Sequence, residues 1–149
     1  MNDEQKQQFE QQQQQLDENQ YIRSWKILIE LKHLPRFVPQ GVYCLPSIES
    51  LYEWYGSIFL RQGFYRNGVF HFKFVLPTEY PLKGPTKVTF LGAPIFHPQI
   101  KWETGELLLK EFAEWDAEKH NIAQILKYIK KIFYMIEANG FQNMEAADL

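Results

Sequence analysis

A single cysteine, Cys44, stands in a chain of 149 residues. One thiol excludes an internal disulfide framework and any multi-cysteine metal site. Long apolar runs are missing too: none approaches the ~20 residues needed to cross a bilayer. Basic charge is not in excess, since 16 Lys and Arg face 18 Asp and Glu for a net charge of −2. The chain therefore lacks the basic footprint of a nucleic-acid binder and the polybasic patch of a membrane-surface protein. The segment MNDEQKQQFEQ has neither the apolar core of a secretory signal nor the Arg-rich, acid-poor pattern of a transit peptide. Cytoplasmic residence is the expectation, with a cytoskeletal or organellar assembly left open. What the chain has in quantity is aromatic side chains, 16% of residues, enough for one large core in a single domain with an extension.

Three regions follow from the pattern. Residues 1–20 form a polar, glutamine-rich arm whose strongly apolar members are Phe9 and Leu16. Its composition favours a frayed or disordered arm over a helix that docks on a partner. Residues 21–137 carry the domain. Asp17-Glu18-Asn19 supplies cap-like residues, and Ile22, Trp25, Ile29 and Lys32, with Leu28 and Leu31 beside them, have helical spacing that places Trp25 in the core. Pro35 stops that helix. Gly41–Leu45, Leu51–Leu60, Val69–Leu76 and Lys87–Leu91 then read as four strands. Trp54, Gly56, Ile58 and Leu60 share one face of the second, and Gly56 marks a close approach of packed layers. Phe70, Phe72, Phe74 and Leu76 share one face of the third, and Asn67-Gly68 is a hairpin signal between the two. Three hairpin-like connections make a four-stranded antiparallel meander.

From Gly92 to His120 no periodic element stands out, and Phe96, Trp102, Phe112 and Trp115 are available to pin a long functional loop. Asn121 is a good N-cap. Ile122, Ile125, Leu126, Ile129, Ile132 and Phe133 form the apolar stripe of a C-terminal helix, with Lys127, Lys130 and Lys131 on its solvated side. Asn139-Gly140 ends the helix, and residues 138–149 are an acidic tail. The fold class is α+β.

The motifs Gly41-Val-Tyr, Trp54-x-Gly56-x-Ile58, Tyr80-Pro81, Pro85-x-x-Val88-x-Phe90, Phe96-His97-Pro98-x-Ile100, Gly105-x-Leu107 and Trp115 occur in this order. Each is weak alone. Together they resemble the ubiquitin-conjugating (UBC-like) fold, with Trp54, Tyr80, Pro81, Pro85 and Trp115 as its signature. The resemblance implies an active-site loop around His97, Pro98, Gln99 and Leu108. It also implies two losses. In the family a nucleophilic cysteine stands three residues after the glycine, and here that residue is Leu108. The family's asparagine after His-Pro is here Gln99, whose extra methylene misplaces an amide implicated in stabilising the oxyanion. A thioester needs a thiolate, and leucine offers none. Cys44 lies on the first strand and reads as a small buried hydrophobe. His97, read with His33, His71 and His120, shows no metal-ligand spacing and is expected to be a structural histidine. Glu103, Glu106, Glu111 and Glu114 read as a solvated loop face. No catalytic residue, cofactor or metal is expected: the site is vestigial.

A narrower resemblance rests on WYGSIFLRQGFYRNGVFHF, FHP, GEL, EFAEW and ILKYIKKIFY. These strings are similar to the fused-toes family, also called the AKT-interacting protein family, which is conjugating-enzyme-like without the cysteine. That resemblance implies a protein-interaction subunit whose partners are Hook-type coiled coils and a FHIP-type subunit in a dynein cargo-adaptor complex. Three other readings remain. One is a non-catalytic cofactor of an active ubiquitin-conjugating enzyme, in contact with ubiquitin. Another is a structural subunit of a large cytoskeletal, ciliary or organellar assembly. The third is a peptide-binding groove at the vestigial site, as some inactive variants use for proline-rich peptides.

Overall fold

The computed structural model describes residues 2–138, beginning with one long helix, α1, Asp3–His33. Nothing in the first turns opposes helix: the segment holds no proline or glycine, and glutamine is a fair helix former. Asn2 accepts from the Gln5 amide at 2.8 Å, and the Gln5 side chain accepts from the Asn2 amide at 3.2 Å, a reciprocal cap. Asp3 and Glu4 at the start, with Lys32 and His33 at the end, suit the helix dipole. The glutamine-rich arm is therefore helical and continuous with the next segment, not a frayed lead. The helix starts at its Asn2 cap rather than after Asp17-Glu18-Asn19. It ends before Pro35, passing into a 3-10 turn, Leu34–Arg36.

The face that α1 turns to the body is not the one expected from apolar spacing. Ile27 is fully buried, Leu34 is buried and Leu31 packs against the core. Trp25 is 57% exposed, and Tyr21, Ile22, Leu28 and Ile29 are exposed with it. Trp25 is thus a surface residue. Two apolar stripes share this helix, and the richer one faces out.

Five strands follow: β1 Val42–Pro46, β2 Glu53–Phe59, β3 Val69–Val75, β4 Lys87–Leu91 and β5 Glu106–Leu108. They form one antiparallel sheet in sequential order. The first four strands are the expected meander. β5 adds a strand inside the segment read as loop, because alternation over three residues is too short to register in sequence. The β2–β3 hairpin is also built differently from a two-residue turn. Phe59 pairs with Val69 across a connection of residues 60–68, in which Asn67 takes a positive φ of 67°. Gly56 marks a close approach, but within the sheet rather than between layers. It sits between Cys44 and Phe72 in register, and a Cβ there would lie 2.4 Å from the Phe72 ring and 2.7 Å from the Tyr43 carbonyl oxygen.

The core lies between the inner sheet face and α2, Ile122–Ala138. Its expected stripe is buried: Ile122, Ile125, Leu126, Ile129, Ile132 and Phe133. Phe133 stacks on Phe70 at 5.0 Å and meets Phe90 edge-on at 5.7 Å. Asn121 caps the helix by accepting from the Gln124 amide at 3.0 Å. Of the lysines, Lys127 is solvated, Lys130 donates to the Gln40 carbonyl at 2.8 Å and Lys131 pairs with Glu111 at 3.1 Å. The expected helix stop at Asn139-Gly140 and the acidic tail lie outside the described residues.

One carboxylate joins the two helices. Glu30 of α1 accepts from the Ile122 amide at 2.6 Å and from the Tyr80 hydroxyl at 2.5 Å. Burial raises the Glu30 pKa, against the lowering effect of its bonds to Tyr80 and the Ile122 amide. Glu30→Ala leaves both donors unpaired, and urea unfolding at pH 7 should show a loss of about 3 kcal/mol. Glu30→Gln keeps an acceptor for the Ile122 amide and reverses the bond to Tyr80, its amide N–H donating to the phenol oxygen, without a charge to desolvate. It should unfold at the same urea concentration as the parent or a higher one.

Candidate functional site

The segment from Gly92 to His120 is held by three anchors. His97 is the first. It is buried, its Nε2 lies 2.8 Å from the Ile132 carbonyl oxygen, and its Nδ1 accepts from the Gln99 amide at 3.0 Å. Both partners are satisfied by the neutral ring with its proton on Nε2. The ring stacks on Tyr65 at 5.6 Å and meets Phe133 edge-on at 5.5 Å. The Tyr65 hydroxyl donates to the Phe96 carbonyl, and burial pushes that phenol up to about 12. Desolvation lowers the His97 pKa, with the hydrogen bond to Ile132 acting in the other direction.

The second anchor is β5 itself. Leu107 is buried opposite Val88, while Glu106 and Leu108 point away from the core on either side of it. Leu108 is 43% exposed. The third anchor is Trp115, whose Nε1 donates to the Pro81 carbonyl at 2.9 Å. Its ring lies so close to Gly84 that a Cβ there would be 2.0 Å from it, so glycine is required. Trp115 also contacts Tyr80, Phe112 and His120 at ring separations of 5.9, 5.9 and 5.3 Å. The Tyr80–Pro81 peptide is cis. Trp102, by contrast, is exposed and pins only Phe96, edge-on at 5.9 Å.

These anchors bring Leu108 to a groove of about 600 Å³ that includes Leu82, Pro85, Phe112 and Trp115 in its lining and Lys83 and Lys110 beside them. His97 and Gln99 do not line it. Pro98 and Gln99 are exposed, and Gln99 is held through its backbone amide. Trp54 is fully buried, donating from Nε1 to the Leu51 carbonyl at 2.8 Å and stacking on Phe74 at 6.1 Å. Pro85 is buried next to the groove.

Cys44 is buried, and desolvation pushes its thiol up to about 12. It sits on β1, at the opposite end of the strand order from Leu108 on β5. Four strand spacings separate them, roughly 19 Å of sheet. The glutamates around the site are not a uniform solvated face: Glu106 pairs with Lys87 at 3.0 Å and Glu111 with Lys131 at 3.1 Å. Among the described residues, no group of three or more His, Cys, Asp or Glu is placed to hold a metal ion. No helix among them is long and apolar enough to cross a membrane.

Two features escaped the sequence. Glu30 shares the buried face of Ile27, Leu31 and Leu34, so an acid within a 27-30-31-34 stripe was its signal. The other is the outer face of the sheet, where Tyr43, Leu45, Phe59, Val69 and Val75 are all exposed. Tyr43 and Phe59 meet there edge-on at 5.6 Å, and Ser57 Oγ lies 2.7 Å from His71 Nδ1.

A family model described as ubiquitin-conjugating enzyme matches residues 26–149. Among curated proteins, the chain is similar to Protein AKTIP homolog of Nematostella vectensis, 39% identical over 130 residues that cover 87% of this chain and 43% of that protein. It is likewise 40% identical over 130 residues to human AKT-interacting protein, covering 87% of this chain and 44% of that one. The chain thus spans about two fifths of the length of the curated relatives it matches. Among solved structures, human ubiquitin-conjugating enzyme E2 G1 superposes with a TM-score of 0.65 at 23% identity, covering 74% of this chain and 93% of that one. A putative ubiquitin conjugating enzyme from Plasmodium yoelii superposes with a TM-score of 0.68 at 26% identity, covering 84% of this chain and 80% of that one.

The buried neutral ring of His97 sets a pH dependence. Its folded pKa lies below the ordinary 6.5, so the unfolded chain takes up the proton first. Its contribution is present above about pH 6.5 and is lost as pH falls through the folded value. Glu30, with its raised pKa, acts in the opposite sense. The clean measurement is therefore urea unfolding of Glu30→Gln from pH 7.5 to 5. Stability should fall with acidification, by up to about 1.4 kcal/mol per pH unit.

Proposed function

We propose a non-catalytic role for this chain, which belongs to the ubiquitin-conjugating enzyme family: it serves as a protein–protein interaction subunit. Leu108 carries the reading. It occupies the position, three residues after Gly105 at the head of β5, where the family resemblance places the nucleophilic cysteine. A saturated side chain there forms no thioester. The one thiol is a poor replacement, being buried, protonated at neutral pH and several strands away. Gln99, exposed and held by its main chain, supplies no asparagine amide for an oxyanion.

What remains is a rigid scaffold with exposed apolar surface. The outer sheet face exposes Tyr43, Leu45, Tyr55, Phe59 and Val75, apolar surface of the kind that supports a protein contact site. Relatives named AKT-interacting protein support an interaction role. The fused-toes resemblance makes the partner a Hook-type coiled coil with a FHIP-type subunit, and the setting a dynein cargo adaptor in the cytoplasm. An aromatic-rich, half-polar surface suits a helical partner, whose apolar ridge packs on the rings while its flanks stay wet.

Incubation with ubiquitin, activating enzyme and ATP tests the absence of catalysis. No thiol-sensitive ubiquitin adduct should form, at any pH between 6 and 9. An adduct that disappears in Cys44→Ala overturns the reading.

A further inference from the structure

The outward stripe of α1 belongs neither to the core nor to the sheet face just described. Successive residues of a helix turn by 100°. Tyr21, Ile22, Trp25, Leu28 and Ile29 therefore fall within one arc of about 120°, centred opposite Ile27. Ile27 is fully buried, whereas Tyr21 is 72% exposed. The stripe is unobstructed because it points directly away from the body. The helix that carries it is stretched over 31 residues, or about 46 Å. Its first twenty residues make no buried contact among those whose side chains are described. In proteins most helical stability comes from packing of an amphipathic face, and the outward apolar face of this helix is exposed.

We propose that the stripe pairs with the same stripe of a second copy of this chain, antiparallel, about a two-fold axis at Trp25. The sequence around Trp25 is self-complementary in that arrangement. Residues equidistant from 25 meet, so Ile22 faces Leu28, Tyr21 faces Ile29, and Trp25 faces its own mate. One step further out, Glu18 faces Lys32. Both are exposed and lie on the same outward arc, and neither has an ion-pair partner among the described residues. The two-fold repeats the pair, giving a Glu–Lys contact at each end of an apolar centre. A parallel pairing in register would instead bring Glu18 to Glu18 and Lys32 to Lys32. Charge thus selects both the occupant and its direction.

The patch is small. Five side chains at about 100 Å² each give roughly 500 Å² per copy, which is the scale of a weak, reversible association rather than an obligate dimer. The interface is isologous, so it closes at two copies and leaves the outer sheet face of both copies free.

Sedimentation velocity on the full chain across a range of concentrations tests this pairing. The parent should show a reversible monomer–dimer equilibrium that weakens with added salt. Glu18→Lys and Lys32→Glu, each on the surface and leaving the circular dichroism unchanged, should each weaken the dimer about tenfold. Mixing these two variants restores opposite charges at both ends, and the mixture should regain the parent affinity as a heterodimer. Trp25→Ala should abolish dimerisation. A chain that stays monomeric at every concentration overturns the proposal. So does a dimer indifferent to the charge reversals, a mixture no tighter than its components, or a stripe that binds a different helical protein while the free chain remains monomeric.

Discussion

The carboxylate of Glu30 is the fastening on which the arrangement of this molecule depends. It receives the hydroxyl of Tyr80 and the first amide of α2, and so binds three segments distant in sequence: the long helix, the loop after β3 and the helix that closes the core. A carboxylate suits that place because the start of a helix presents unpaired amides and positive dipole. Its burial has a cost, visible in the raised pKa, which the two hydrogen bonds offset in part. Without it, the apolar hold of this segment on the body rests on Ile27 and Leu31 of α1 and on Leu34 just after it. The direction in which the outward stripe of α1 points is set by this one contact as much as by apolar packing.

A similar economy governs the site segment. His97 bonds a carbonyl of α2 and an amide of its own loop, and Trp115 bonds the carbonyl of Pro81. Both bonds are structural, and both use side chains that elsewhere could do chemistry. The segment is kept in shape by aromatic contacts while the residue it displays, Leu108, is inert. On the proposed reading, a scaffold that keeps such anchors around Leu108 works through its surfaces. Two apolar faces are exposed, the outer sheet face and the outward stripe of α1, and they lie on different elements.

Much of this was legible in the sequence, for reasons that differ by element. The stripe of α2 and the alternation of β3 are strong periodic signals over many residues, and the structure buries the α2 stripe with Phe72, Phe74 and Leu76, Phe70 being partly buried. Motif order carried the fold class, since each anchor, such as Trp54 or Pro85, has a packing role that constrains its neighbours. The errors cluster where periodicity is ambiguous. In α1 two apolar stripes compete, and nothing local says which of Trp25 or Ile27 meets the core. β5 is three residues long and exists only because β4 offers its free edge. Glu30 shows in sequence only as an acid within the 27-30-31-34 stripe, and its role is defined by donors fifty and ninety-two residues away. The inert character of Leu108 was readable from residue type alone, whereas its place on an exposed strand end beside an apolar groove required the structure.

On the proposed reading, this protein acts through its surfaces and not through the Leu108 site. The most direct measurement is mild affinity purification of the tagged protein from its own cells, with quantitative mass spectrometry. It is run in parallel on the parent, on an outer-face variant, Val75→Asp, and on a site variant, Leu108→Ala. A coiled-coil partner should appear in near-stoichiometric amount with the parent and with Leu108→Ala, and be lost with Val75→Asp. Retention of the partner in Val75→Asp with loss in Leu108→Ala would contradict that reading, as would recovery of an active ubiquitin-conjugating enzyme as the stoichiometric companion.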